Sequence, residues 1–279
     1  VIRGSQLSES SFLAQPEWLE VPWSSKSASK EPFDKLIDIM LNMPDFFARV
    51  RGLAGVADPS YILQSACLAI REGERIEESL AQWLNGFQRA VPGALYHAGL
   101  SKIDTVADTP ELGKLFPVAF HFPAFVVGQA MVFYWVAVMS VQANLCLTYG
   151  ILKTLMANLE AVGRGHLPCV CLDDGTGAER CLQHFTMERL PELAHRDGWT
   201  RGAAYNICQS VEYFLLDTAR GFGPPTVLPA LGWVKGFWKH APGQWDREIG
   251  WVDDMVGRIH ATGYGIAGAM LGRGAEQKE

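Results

Sequence analysis

Apolar residues recur at helical spacing along most of this chain, and the segment from Tyr205 to Pro225 shows it best. Ile207, Val211, Phe214 and Leu215 follow one another at steps of 4, 3 and 1, which puts them on one helical face. Tyr205, Gln209 and Glu212, at offsets of 0, 4 and 7, line a neighbouring polar face. Gly221 and Gly223 are expected to supply a left-handed cap, and Pro224-Pro225 forbids continuation. Upstream, the pattern predicts a helix around Phe33 to Val50 that Pro44 kinks or divides. Asp58-Pro59 opens a helix to about Ile70, and Ile76 to Val91 reads as a separate one, with Gly73 between them. Asp108-Thr109-Pro110 marks a further helix start, and Trp245 to Leu271 closes the chain as a helix weakened by Gly263, Gly265 and Gly268. Ser24 to Lys30 and Gly163 to Gly202 read as loops, with one short alternating stretch at Leu167 to Leu172. The expected fold is all-α: a single-domain helical bundle over residues 1–279, built round a buried central apolar helix.

That central helix is expected within Leu115 to Leu152, 38 residues without a Lys, Arg, Asp or Glu. A membrane span needs roughly 20 apolar residues, so length alone allows one. Pro117, Pro123, Gln129 and Gln142 stand against it, as do Ser140, Asn144 and Thr148, which form a polar line at steps of four. The pattern fits a helix buried inside a bundle, and no membrane span is expected.

Composition narrows the partners. Hydrophobic residues make up 48% and charged residues 19%, with a net charge of 24 − 30 = −6 and no basic stripe. An acidic surface argues against nucleic-acid binding through this chain, because phosphate contacts dominate such affinity. The six cysteines lie scattered between positions 67 and 208, unlike a secreted disulfide scaffold. Free thiols in an intracellular, cytoplasmic or nuclear setting are the economical reading, and homo-oligomerisation is left open.

Candidate chemistry lies in three places. The polar face of Tyr205, Gln209 and Glu212 is either a structural network or a site, with Glu212 as general base and Tyr205 or Gln209 polarising a carbonyl. His121, between Phe120 and Phe122, is either a hydrogen-bonded structural residue or a catalytic partner with a tunable pKa. Aromatic surface crowds the apolar run, which reads either as core packing or as the wall of a hydrophobic pocket. On the second reading Phe125, Gln129, Tyr134, Trp135, Gln142 and Trp233 contact the ligand. His166, Cys169, Cys171, Cys181 and His184 tempt a zinc assignment, but C-x-C is a poor chelate spacing, so neither metal nor cofactor is expected.

The run I-C-Q-S-V-E-Y at 207–213, then G-F-G-P-P, an apolar helix and W-D-R-E-I-G-W-V at 245–252, resembles the C-terminal helical regulatory region of fungal binuclear zinc-cluster transcription factors. Ser11 to Trp23 and Tyr134-Trp135 are similar to further pieces of it, so the likeness spans about residues 11 to 271. It carries the polar helix onto Gln209, Ser210, Glu212 and Tyr213, and the turn onto Gly223 and Pro224. The six-cysteine finger of that family has no counterpart here, and the resemblance starts at its F-L-A-x-P-E-W piece. The expectation is therefore a shortened, finger-less relative, with a fragment of a longer factor as the alternative. The resemblance implies an apolar small-molecule ligand. A finger-less relative would use such a pocket for a cofactor-independent cyclisation or isomerisation of a terpenoid- or polyketide-like metabolite, of pericyclic type. The alternative is a ligand-sensing or partner-binding regulatory domain.

Overall fold

The computed structural model describes residues 12–21, 24, 30–161, 191–219, 221–240 and 243–261. The expected strand at 167–172, the five residues considered for zinc, the Ser24–Lys30 loop beyond its ends and the chain after 261 lie outside them. The chain is mostly helical, as the spacing predicts. A 3-10 turn at Phe12–Ala14 precedes α1 (Pro16–Leu19), α2 (Pro32–Leu41), α3 (Met43–Arg51) and α4 (Pro59–Ala90). A small hairpin follows, β1 (His97–Leu100) with β2 (Val118–His121), and then α5 (Phe125–Ala161), α6 (Pro191–Phe214), α7 (Gly223–Trp238) and α8 (Asp246–Ala261). Contacts group the residues into two compact units, 1–85 with 138–201 and 86–137 with 202–279.

In the first unit Pro44 divides the early helix as expected, standing in the first turn of α3 after Asn42, whose amide caps α2 at the Asp38 carbonyl (3.0 Å). α4, by contrast, is one continuous helix of 32 residues, so Gly73 does not separate two. A Cβ at Gly73 would stand 2.7 Å from Leu145 and 3.1 Å from Phe46, so the glycine serves close packing against α5 and α3. Leu53, Leu63, Ala66 and Leu152 form a buried apolar cluster here. The polar line on α5 satisfies itself: the Asn144 amide donates to the Ser140 carbonyl (2.8 Å) and the Thr148 hydroxyl to the Asn144 carbonyl (2.8 Å). Back-bonding of this kind satisfies the hydroxyl of Thr148, which is fully buried. α5 is long and apolar enough to cross a membrane by length and composition, and 61% of its most apolar window is buried.

In the second unit β1 and β2 run antiparallel with His97 opposite His121 and Leu100 opposite Val118. These two short strands leave the fold all-α in class, but the spacing does not predict them, nor what joins them. Asp108-Thr109-Pro110 opens no helix: the Asp108 carboxylate instead accepts the Thr105 amide (2.7 Å) and the Leu115 amide (2.9 Å). These bonds tie off a tight turn in which Gly113 adopts φ 67°, a conformation that favours glycine. Tyr96, Phe120, Phe122 and Trp135 form an aromatic cluster, with Tyr96 and Phe120 centroids 4.5 Å apart. α6 begins well before Tyr205, at Pro191, and stops at Phe214. Gly223 does not cap it but opens α7, and a Cβ there would stand 1.9 Å from the Phe214 carbonyl oxygen. Trp238 of α7 and Trp251, Val252 and Met255 of α8 are buried in this unit.

Candidate functional site

The polar face of α6 lies within the second unit, beside the hairpin and α8. Glu212 is 9% exposed, and its carboxylate accepts three bonds: from the Ser101 hydroxyl (2.9 Å) and, through both oxygens, from the Lys102 amide (3.1 and 3.0 Å). A buried carboxylate must be paired in this way, because an unmet charge there is costly. Seven residues earlier, the Tyr205 hydroxyl donates to Glu248 of α8 (3.0 Å), and the ring packs edge-on against Phe116 (5.3 Å). Ser210 turns inward and donates to the Asn206 carbonyl (2.7 Å). Tyr213 packs edge-on against Phe122 (5.1 Å), and burial raises its pKa.

Gln209 differs from these. It is half-buried and its amide makes no hydrogen bond among the described residues, and it lines a cleft with Cys208, Glu212, Trp251, Phe116 and Ser101. The cleft holds about 10 Å³ of free space for a water-sized guest. That is one water molecule at most, against the roughly 300–1,000 Å³ of a small-molecule site. Cys208 is fully buried on its inner wall, and desolvation, with the nearby Glu248 charge, pushes its thiol pKa well up. A thiol so placed is a poor nucleophile.

His121 stands at the end of β2, stacked on His97 with centroids 5.5 Å apart, and does not line this cleft. Phe125 and Trp135 join the aromatic packing of the second unit, Phe125 edge-on to Phe214 (5.6 Å) and Trp135 beside Tyr96 (5.6 Å). Tyr134 is half-buried and its pKa is raised by burial, while Gln129 and Trp233 are half-buried on α5 and α7. Gln142 belongs to the first unit, where a charged network absorbs it. Its amide donates to Glu77, and its carbonyl oxygen accepts from Arg196 (3.0 Å). Arg196 also reaches both Glu77 oxygens (2.8 Å each) and lies over the Tyr149 ring, 5.7 Å from its centroid. Burial works against its charge, but Glu77 outweighs burial and the Arg196 pKa is raised.

Sequence reasoning missed Ser101, Glu248, Glu77 and Arg196. Each partners its site residue across 43 to 111 positions, and no spacing rule reaches that far. Among the described residues no group of three or more His, Cys, Asp or Glu side chains is placed to hold a metal ion. No family model, no curated protein and no solved structure matches the chain.

Proposed function

We propose that the chain is a non-catalytic regulatory domain of the ligand-sensing kind that the resemblance to fungal zinc-cluster regulatory regions implies. The observation that carries this reading is the state of Glu212. The best candidate for a general base has its oxygens taken up by the Ser101 hydroxyl and the Lys102 amide, and so orders the backbone instead of facing a reactant. Tyr205 is likewise engaged, with Glu248. A base that must first give up its bonds to the main chain is badly placed for proton abstraction.

The second reading, a cofactor-independent cyclase acting on an apolar metabolite, draws on Gln209. Its amide has no hydrogen-bond partner among the described residues and lines the same cleft as the Phe116 and Trp251 rings, which pack edge-on against each other (4.8 Å). A carbonyl-polarising amide in a cleft lined by aromatic rings is the equipment a pericyclic ring closure requires. The two readings part in one experiment. The protein is incubated with linear terpenoid and polyketide precursors while melting temperature and product are both followed. The regulatory reading expects some compounds to raise the melting temperature with no product above the protein-free control. A cyclised product that forms with the wild type and disappears in Gln209→Ala overturns it.

A further inference from the structure

Residues 101–115, between the two strands, have an unusual basis for their order. Only Ala107 among them is buried, and they contain no helix or strand. What holds them is a set of charged side chains gripping main-chain atoms. Glu212 of α6 takes the Lys102 amide. Arg247 of α8 donates to the Ala107 carbonyl (2.7 Å) and the Gly113 carbonyl (2.5 Å). Arg258, also of α8, donates to the Asp104 carbonyl. Within the segment, Lys114 donates to the Ser101 and Ile103 carbonyls (3.1 and 3.0 Å) and pairs with Asp104 (2.8 Å). At the far end Phe116 anchors the chain, buried against Tyr205 and Trp251. Meanwhile Val106 and Leu112 point outward, 74% and 68% exposed.

Such a segment has little apolar burial to lose and many polar grips to exchange for water, which is the signature of low local stability. It also covers something: Ser101 and Ile103 supply one wall of the cleft whose other wall holds Cys208, Gln209 and Glu212. We propose that residues 101–115 form a strap that opens in the folded protein and uncovers the polar wall of α6. The one-water cleft is then the closed form of a larger recess, and the strap is its native plug. Opening hinges between β1 and the Phe116 anchor, and requires no change in the helices. It is independent of whether the chain senses a ligand or turns one over.

The test reads Cys208, which is 2% exposed when the strap is closed. Alkylation by N-ethylmaleimide at fixed pH is followed by peptide mapping, which separates Cys208 from the other five cysteines of the six. In the wild type, the Cys208 rate is expected to be flat in low urea, because a local opening exposes little surface. Arg247→Ala and Arg258→Ala each remove strap grips from outside the cleft. Each is expected to speed Cys208 labelling about tenfold, the factor carried by a hydrogen bond to a charged group, with the helical circular-dichroism melt retained. Should one variant fail to fold, the other and the wild-type urea series still decide. The proposal is overturned if Cys208 reacts only with the urea dependence of global unfolding, or if both folded variants label at the wild-type rate.

Discussion

Replacing Glu77 by leucine should be among the most damaging single changes in the first unit. Its carboxylate receives both bonds from Arg196 Nη1 at 2.8 Å and one from the Gln142 amide, and the paired side chains are only 14% and 21% exposed. Without Glu77, the guanidinium keeps, among the described residues, a single acceptor, the Gln142 carbonyl oxygen at 3.0 Å, while its buried Nε meets none. Breaking a buried ion pair costs about 3–5 kcal/mol, and partial exposure places this one at about 3 kcal/mol. Removing both charges together, as in E77L/R196M, should cost about 1 kcal/mol or less, since apolar replacement of a whole buried pair is often neutral. The double variant should therefore be about 2 kcal/mol more stable than Glu77→Leu alone, a direct sign of coupling between the two positions. Urea-dependent hydrogen exchange of peptides around Glu77 and Gln142 reads this locally, without assuming that two units unfold in one step. Single replacements that each cost under about 0.5 kcal/mol and add in the double variant would show a solvent-screened surface pair, and the reasoning would be wrong.

Gly223→Ala should cost at least about 2–3 kcal/mol, at or beyond the usual range for overpacking, because its Cβ would meet the Phe214 carbonyl oxygen at 1.9 Å and a main-chain atom cannot step aside. Loss of near-ultraviolet dichroism or of soluble protein checks it; a variant as stable as the wild type contradicts it. Gly73→Ala should be close to neutral, because the gain of about 1 kcal/mol in helix propensity offsets pressure on the movable Leu145 side chain. Gly73→Val, with further bulk against Leu145 and Phe46, should destabilise clearly, and equal melting points for the two variants would refute the contact. Burial works to raise the Asp108 pKa, but the bonds from the Leu115 and Thr105 amides outweigh it and the pKa is lowered from 3.8. A depressed carboxyl stabilises fully above its unfolded value and loses that contribution as pH falls through the lower folded value. Exchange protection at Leu115 should therefore drop below about pH 4 in the wild type and be weaker and less pH-dependent in Asp108→Asn.

The sequence pattern made most helices legible because burial of an apolar face follows a period that can be read directly. α2, α3, α5 and α8 lie where their apolar spacing puts them, and Pro44 breaks the chain for the reason proline must. Glycine was the less readable signal. Gly73 and Gly223 looked like interruptions or caps, yet both pack close to a neighbour, Gly73 against the movable Leu145 side chain and Gly223 against the fixed Phe214 carbonyl, a tertiary fact with no local signature. The hairpin escaped because four-residue strands such as His97–Leu100, with the sequence HAGL, carry too short an alternation to detect. Asp108-Thr109-Pro110 has the letters of a helix start, but its carboxylate reaches Leu115 and closes a turn. At the candidate site, the spacing of Tyr205, Gln209 and Glu212 put them on a shared helical face. Their partners, at 248 and 101–102, come from elements far along the chain, so the sequence left open whether the face was a network or a site.

The central claim, that the Glu212 carboxylate is bound to the backbone and side chain at Ser101-Lys102, is tested most directly by a double-mutant cycle. Ser101→Ala, Glu212→Gln and the combined variant are compared by exchange protection of peptides over residues 99–104 and 207–214. The account predicts a coupling of about 1–2 kcal/mol, the contribution of a hydrogen bond to a buried charged group. Strictly additive effects, with a coupling below about 0.3 kcal/mol, would mean that Glu212 is free to face a ligand, and would contradict it.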